Sequence, residues 1–587
     1  IAGAQYNPFT LILHDDPNVP NYSLNNTHEV IHWYQHHGTT VGAFLSALRH
    51  SQNRTIINLF SQLTPAQKQE ILNRRNGGKP LLLIDKSGKL IHQNINELSD
   101  LFIQIWYDHQ ILLTLFDDSQ ALESVGFPLS QILAEICGDI VLFTLDHLGT
   151  EDYPGNEIAR SWYNLAIDAP IFIALPDDTR LTTRSIIEGQ AVANNYLSFK
   201  HDVMTMTAAT DDFGGVKIEQ IERELKEGIN SSPFQVFLQI INDDSQSLRD
   251  LIPTFNLACD LALNPALPPI VMSEVPEGKS RTWKDIYPPL RFIAICQAFT
   301  TIPLLTSEPD HSELQEKIRD ICELNMWESP LEFVHPYKRS IHQRDYAKDS
   351  TTLDDPEETT FLYDYILWVQ NQMWDARQTA LPVFVNRAML SLGELARKYV
   401  EFVVTTWETD ARWKRPLNVS RQDKMWHNDK GNTFGTKILI NVAFENALYD
   451  FVSDAGDFDM SIYPTSVSSN PYFVQPIYKF VGDALDIKIP YTGMRFRTER
   501  VLITKMIQQY IKDGLVTEEM IDDFVKKHLY GDFGQAHKDM ELENNSVIEA
   551  GFGLIYSIFM ANDLKIYVVT TMSKDETFTV ISTLSEL

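Results

Sequence analysis

Two histidines separated by three residues, in the segment His28-Glu29-Val30-Ile31-His32, constrain the fold of this chain more than any other feature. At 3.6 residues per turn, residues four apart lie on one face of a helix, one turn above the other. Both imidazoles can then reach one metal ion, while Glu29 sits beside that face, where it can accept a proton. The segment therefore predicts a helix that carries two metal ligands and a base.

The residues around this segment favour the helix. Asn25, Asn26 and Thr27 belong to the types that cap helix N-termini, and Trp33 adds to an apolar face. Gly38 is expected to end or kink the helix. The alternative is an amphipathic helix in which the histidines are incidental.

A third ligand is expected because a catalytic zinc usually has three protein ligands and a water. Glu188 stands in an apolar, small-residue part of a helix predicted to start at Thr182-Thr183. Gly189 and Ala191 beside it would let another helix approach closely. A glycine inside a helix costs about 1 kcal/mol relative to alanine, which indicates a packing reason for it. We therefore expect Glu188 to complete the site.

Four other residues stay open as ligands or supporting groups. Glu157 is another helical glutamate, and His36 stands one turn beyond His32. Three residues in a row on a straight helix cannot converge on one tetrahedral ion, so His36 is expected to line the site. His14 and Asp15 could accept an N–H from a ligand histidine and orient it.

On these two segments the chain resembles the gluzincin group of zinc metallopeptidases. That group pairs an HExxH helix with a downstream glutamate helix, and several bacterial branches carry the glutamate in an E-G-x-A form. The matching residues are His28, Glu29, His32, Glu188, Gly189 and Ala191. The resemblance covers only these two segments, which lie about 155 residues apart. Val192 occupies a position where many relatives have an acidic residue that supports a ligand histidine.

The resemblance implies a zinc-dependent metallopeptidase acting on a peptide or protein substrate. His28, His32 and Glu188 would bind Zn²⁺, and Glu29 would act as general base. A further donor would stabilise the charge that develops on the carbonyl oxygen. The candidates for that donor are Tyr34, Arg184, Tyr196 and His201. The alternative function is a non-catalytic interaction protein with a structural or vestigial metal site.

Two other patterns carry weaker chemistry. Glu308–His311 and Glu332–His335 repeat the Glu-x-x-His spacing of di-iron helix bundles, but a proline lies inside the first and directly after the second. Residues 411–437 are basic and contain aromatic side chains, which could bind an acidic peptide or nucleic acid. An anchored polar loop is the interpretation we prefer for that stretch.

Charge, hydropathy and cysteine content limit the partners and the cellular location that we expect for this chain. The net charge is −30, which argues against a general nucleic-acid or anionic-membrane partner. No apolar run reaches 18 residues, so we expect a soluble protein without a membrane span. The widely spaced cysteines indicate free thiols and hence a cytoplasmic location. The chain begins at Ile1 and not at Met, so a removed signal peptide stays open.

The hydrophobic pattern predicts a mainly α (α+β) fold. A large helical body would carry a small N-terminal β-hairpin, near residues 81–92, and a C-terminal antiparallel β-meander. Predicted boundaries are 1–210 for the metal-site region, 211–336 for a helical region, 337–358 for a linker-like loop, and 359–587 for a helical region ending in the meander.

Overall fold

The computed structural model of the chain describes residues 5–7, 12–14, 22–68, 98–117, 127–148, 154–168, 181–205, 218–228, 231–242, 247–339, 361–386, 425–427, 433–435, 553–561, 564–572 and 577–583. Helices hold 75% of the residues that can be interpreted, so the predicted mainly helical class is confirmed. Within these ranges, no helix combines the length and the apolar character that crossing a membrane requires.

The chain divides into two compact units. The first comprises Ile1–Asp349 and Glu357–Trp407, and the second comprises Ser350–Pro356 and Glu408–Leu587. The four domain boundaries predicted from the sequence stay predictions.

The described helices all belong to the first unit. They are α1 (Tyr22–Gly38), α2 (Thr40–Gln62), α3 (Leu98–Asp117), α4 (Phe127–Leu148), α5 (Gly155–Tyr163), α6 (Thr183–Thr205), α7 (Ile218–Glu227), α8 (Ser232–Ile241), α9 (Leu248–Ala262), α10 (Trp283–Ile286), α11 (Pro288–Ala298), α12 (His311–Asn325), α13 (Phe361–Thr379) and α14 (Pro382–Val385), with a 3₁₀ turn at Pro336–Arg339. Helix α1 packs against α2, α6 and α13.

Strands in this unit are short. Strand β1 (Gln5–Asn7) pairs antiparallel with β2 (Ile12–His14), and β1 lies against α1. Strand β3 (Ala166–Asp168) pairs in parallel with β4 (Ser280–Thr282). The hairpin predicted near residues 81–92 lies outside the described residues.

The second unit contributes only strands to the described residues. Strand β5 (Met425–His427) pairs antiparallel with β6 (Thr433–Gly435). Near the end of the chain, β7 (Gly553–Ala561), β8 (Leu564–Met572) and β9 (Thr577–Thr583) pair antiparallel in chain order.

The start of α1 corrects one expectation. The helix begins at Tyr22, so Asn25, Asn26 and Thr27 lie inside it and the prediction that they cap it was wrong. Asparagine and threonine each cost no more than about 0.7 kcal/mol relative to alanine inside a helix. Packing against α6 and α13 outweighs so small a cost. The expected end at Gly38 is confirmed.

A tight corner joins α1 to α2. The Thr39 hydroxyl donates to the carbonyl of Gln35 at 2.5 Å and accepts from the Gly42 amide at 3.1 Å, which caps α2. A Cβ at Gly42 would lie 2.0 Å from the carbonyl oxygen of His36, so only glycine fits there. The corner holds the last turn of α1 close to α2.

A buried ion pair fixes the C-terminal end of α1. Arg377 on α13 donates to both carboxylate oxygens of Asp260 on α9, at 2.7 and 2.8 Å, and to the carbonyl of Gly38 at 2.7 Å. The cation thus meets the carbonyl end of the helix dipole. Three helices that are distant in sequence meet at this point.

Candidate metal centre

Helices α1 and α6 bring the two sequence motifs together. Nε2 of His28 lies 3.1 Å from Oε2 of Glu188, and Nε2 of His32 lies 3.4 Å from the same oxygen. The two imidazoles meet edge to face, with ring centroids 4.7 Å apart. The third group predicted from the sequence therefore converges on the same point as the two histidines.

Local capping explains why α6 presents Glu188. The Thr182 hydroxyl accepts from the Ser185 amide at 3.0 Å, and the Ser185 hydroxyl accepts from the Thr182 amide at 2.9 Å. This reciprocal pair lies at the start of the helix, about one and a half turns before the glutamate. Ala191 beside it is fully buried, in keeping with the close helix approach expected there.

The two nitrogen–oxygen separations at this point suit a zinc ion. Zinc binds imidazole nitrogen at about 2.0–2.1 Å, and tetrahedral geometry then places neighbouring ligand atoms about 3.3 Å apart. The two Nε2–Oε2 separations, 3.1 and 3.4 Å, bracket that value. Two imidazoles and a carboxylate are also a donor set that catalytic zinc accepts.

Glu29 lies within the same cluster. Ligand atoms of His28, Glu29 and His32 all lie within 4.8 Å of one another, and among the described residues this group of three, which does not include Glu188, meets that spacing. Glu29 is 8% exposed, so its carboxylate faces the protein interior beside the histidines.

Glu188 and His32 shift each other's pKa in the metal-free protein. Burial alone would raise the pKa of Glu188, but hydrogen bonds from His28 and His32 and the charges of His32 and Arg184 hold that pKa well below its usual range. Burial alone would lower the pKa of His32, yet the hydrogen bond and charge of Glu188, with the charge of Glu29, raise it above 6.5. Hydrogen bonds and opposite charges therefore link Glu188 to His28 and His32, the same side chains that a metal ion would bridge.

Arg184 contacts the other carboxylate oxygen. Its Nε lies 2.9 Å from Oε1 of Glu188, one turn along α6, and its side chain is 45% exposed. The contact leaves Oε2 turned towards the histidines. Of the four residues considered as the oxyanion donor, Arg184 has a described contact with a predicted ligand.

The other three candidate donors are buried tyrosines or a side chain outside the described residues. Tyr34 and Tyr196 are buried, and Tyr34 packs against Phe384 with ring centroids 5.9 Å apart. The side chain of His201 lies outside the described residues, although its backbone belongs to α6.

The supporting partner of His32 was missed by sequence reasoning. Nδ1 of His32 lies 2.8 Å from Oε1 of Gln35, three residues along the same helix. The i, i+3 spacing on one helical face was the available signal. Val192, one turn after Glu188 on α6, is buried and apolar.

The second ring nitrogen of His28, Nδ1, has different surroundings from that of His32. Nδ1 of His28 is buried, and no hydrogen-bond partner for it is found among the described residues. His14, one of the proposed orienting groups, belongs to β2, whose partner β1 lies against α1. Asp15 lies outside the described residues.

A cavity of about 40 Å³ adjoins the cluster. Its wall includes His32, Gln35, His36 and Arg184, and its remaining lining is mainly apolar. One water needs about 10–15 Å³, so this space is large enough for water to reach the face of His32.

The rival ligands are accounted for. His36 lines the cavity, and its Nε2 lies 2.9 Å from the Ser46 hydroxyl. Burial, together with nearby His50, lowers the pKa of His36 to about 3, so it is neutral at pH 7. Glu157 is exposed on α5.

The weaker patterns find no support as metal sites. Residues 308–310 and 332–335 are not helical, so neither Glu-x-x-His segment presents its two side chains on one helical face. Only the short β5 and β6 strands are described within the basic stretch at 411–437. Comparison with protein-family models, with curated proteins and with solved structures gives no match.

Proposed function

We propose that this protein is a zinc-dependent metallopeptidase of the gluzincin type, with His28, His32 and Glu188 as the zinc ligands. One observation carries the proposal. The Nε2 atoms of His28 and His32 lie 3.1 and 3.4 Å from the same oxygen of Glu188, which belongs to a helix distant in sequence. Bound there, zinc would supply Lewis acidity and would lower the pKa of a coordinated water towards neutrality.

Glu29 takes the role of general base in this proposal. Its carboxylate lies in the same cluster, beside the histidines, and can accept a proton from an attacking water. The same carboxylate, once protonated, can deliver that proton to the leaving nitrogen of a peptide bond. Arg184 is half-exposed at the edge of the cavity, where its guanidinium can face a substrate carbonyl or carboxylate.

We further propose that the substrate is a peptide or protein and that the helical body shapes access to the site. A small N-terminal sheet and a C-terminal antiparallel meander complete the proposed fold. All four cysteines are free and buried, which supports a reducing, cytoplasmic setting.

A second function is favoured by one specific feature. Ligand atoms of Glu29 and the two histidines lie within 4.8 Å of one another, and Glu29 is almost fully buried. If its carboxylate binds the metal, four protein ligands close the site, which is the arrangement of structural zinc. The protein would then be a non-catalytic interaction protein.

Hydrolysis of a mixed peptide library tests the proposal. The protein as purified should cleave peptides, a chelator should abolish cleavage, and added zinc should restore it. A zinc-loaded protein that cleaves no peptide in the library would contradict the peptidase function while leaving the metal site in place.

A further inference from the structure

We propose that Gln35 is a positioning residue that keeps the proton of the neutral His32 imidazole on Nδ1 and leaves the lone pair on Nε2. Nε2 is the atom that faces Glu188. This lone pair is what a zinc ligand must offer, so the inference deepens the proposed function. It rests on the proposed function for the use of the lone pair. The tautomer itself is a property of the metal-free protein.

The orientation of the Gln35 amide follows from its surroundings. Its Nε2 lies 2.8 Å from the carbonyl oxygen of Ile187 on α6. A backbone carbonyl can only accept a hydrogen bond, so the group that faces it must be the NH₂ of the amide. Oε1 of Gln35 is then the atom 2.8 Å from Nδ1 of His32. An amide oxygen can only accept, so Nδ1 must carry the proton.

A second glutamine fixes the first one. Nε2 of Gln35 also donates to Oε1 of Gln190 at 2.7 Å, and Nε2 of Gln190 donates to the carbonyl of Asn256 on α9 at 3.1 Å. Turning either amide over would place its oxygen against a backbone carbonyl. Two carbonyls, on α6 and α9, therefore set the direction of the whole chain of hydrogen bonds.

Burial keeps this chain intact. Gln35 is 6% exposed and Gln190 is 3% exposed, so water has little access to replace a broken link. An unmade hydrogen bond at such a position costs about 1–3 kcal/mol. The glutamine pair is therefore a rigid support and not one of several equivalent arrangements.

Glu188 competes for the imidazole proton from the other side. Its Oε2 lies 3.4 Å from Nε2 of His32, whereas the Gln35 oxygen lies 2.8 Å from Nδ1. The shorter contact is also the one whose acceptor cannot move. While it is charged, the His32 imidazolium donates from Nδ1 to Gln35 and from Nε2 to Glu188. When the ring loses one proton, we expect that proton to leave Nε2, so that the neutral imidazole keeps its proton towards Gln35. An amide orients the ring without adding a third negative charge beside Glu29 and Glu188.

The ¹⁵N chemical shifts of histidine-labelled, metal-free protein measure the tautomer directly. The His32 signals are assigned with a His32→Gln variant and recorded at a pH above the titration of the ring. We expect the proton on Nδ1 in the parent protein. In Gln35→Met, Glu188 alone holds the ring, and the proton should move to Nε2. In Gln190→Met, Gln35 still donates to the Ile187 carbonyl, so the proton should stay on Nδ1.

Zinc affinity, measured by competition with a chromophoric chelator, gives the second readout. Gln35→Met should weaken zinc binding about 10- to 100-fold, the usual effect of removing a partner of a ligand histidine. Gln370→Met is the matched control, because Gln370 is fully buried on α13 and its amide has no hydrogen bond to a described residue. That control should bind zinc as the parent does.

The outcomes separate this inference from the proposed function. A proton on Nε2 in the parent overturns the inference whether or not zinc binds, and so does a Gln35→Met variant with parental zinc affinity. A parent with the proton on Nδ1 that takes up no zinc supports the inference about the tautomer and overturns the metal site. If both glutamine variants fail to fold, the parent spectrum alone decides.

Discussion

Oε2 of Glu188 lies 3.1 Å from Nε2 of His28, although 160 positions separate the two residues in the sequence. Helices α1 and α6 meet along this contact, and His32 approaches the same oxygen from one turn further along α1. The arrangement makes a carboxylate and two imidazoles available to one ion, and the predictions below depend on it.

Glu29→Gln should separate metal binding from chemistry. The amide cannot accept a proton from water, so hydrolysis should fall by about 10²- to 10⁴-fold, the usual contribution of a general base. Zinc content should stay at the parental level, because Glu29 is not a ligand in this account. Zinc analysis and peptide cleavage are measured on the same preparation. Loss of the metal would identify Glu29 as a ligand and favour the structural-site alternative.

Glu188→Ala should weaken zinc binding by more than about 100-fold, beyond the effect of losing a supporting partner. Alanine is the better helix former, so α6 itself should persist. Glu157→Ala on α5 is the control, since that glutamate is exposed and should affect neither metal nor activity. Circular dichroism checks the helix, and chelator competition measures the zinc. Parental affinity in Glu188→Ala would assign the third ligand to another residue.

The stability contributed by the metal-free cluster should depend on pH in a defined window. The pKa of His32 is raised above 6.5, so its contribution is complete below pH 6.5 and is lost as pH rises through that raised value. The pKa of Glu188 is lowered below 4.5, so its contribution is complete above pH 4.5 and is lost on acidification. The difference in thermal midpoint between the parent and His32→Gln should therefore be largest between pH 4.5 and 6.5. Zinc at saturation should reverse the trend above pH 6.5, because zinc binds the deprotonated imidazole. A difference that grows with pH in the metal-free protein would contradict the assigned pairing.

Asp260→Asn should destabilise the first unit by about 3–5 kcal/mol, because it leaves the buried Arg377 guanidinium without its counter-charge. Both side chains are almost fully buried. The exposed pair of Arg249 and Glu308 is the matched control, with side chains 40% and 68% exposed. Glu308→Gln should cost less than about 1 kcal/mol. Denaturant unfolding of both variants gives the comparison, and equal losses would mean that burial does not decide the strength of these pairs.

Local periodicity accounts for what could be predicted from the sequence. The four-residue spacing of His28 and His32 placed both on one helical face, and Gly38 marked the end of that helix. The small residues beside Glu188 indicated a close helix approach, and α6 does pack against α1. Capping was harder to predict, since Asn25 to Thr27 resemble an N-cap in composition but lie inside α1.

Contacts between distant segments could not be predicted in this way. Arg377 reaches Gly38 across 339 positions and Asp260 across 117, and no repeating pattern links them. Gln35 could have been noticed by its spacing from His32, but its second partner, Gln190, is 155 positions away. The supports of the site depend on tertiary packing, whereas the ligands themselves follow helical spacing.

Zinc stoichiometry with X-ray absorption at the zinc edge tests the central claim most directly. The protein is stripped with chelator, reloaded and dialysed, and metal per chain is determined by elemental analysis. We expect one zinc per chain, with two imidazole nitrogens at about 2.0–2.1 Å and oxygen completing the coordination. Folded protein that takes up no zinc, or that binds it without imidazole, would contradict the assignment of His28, His32 and Glu188 as a metal site.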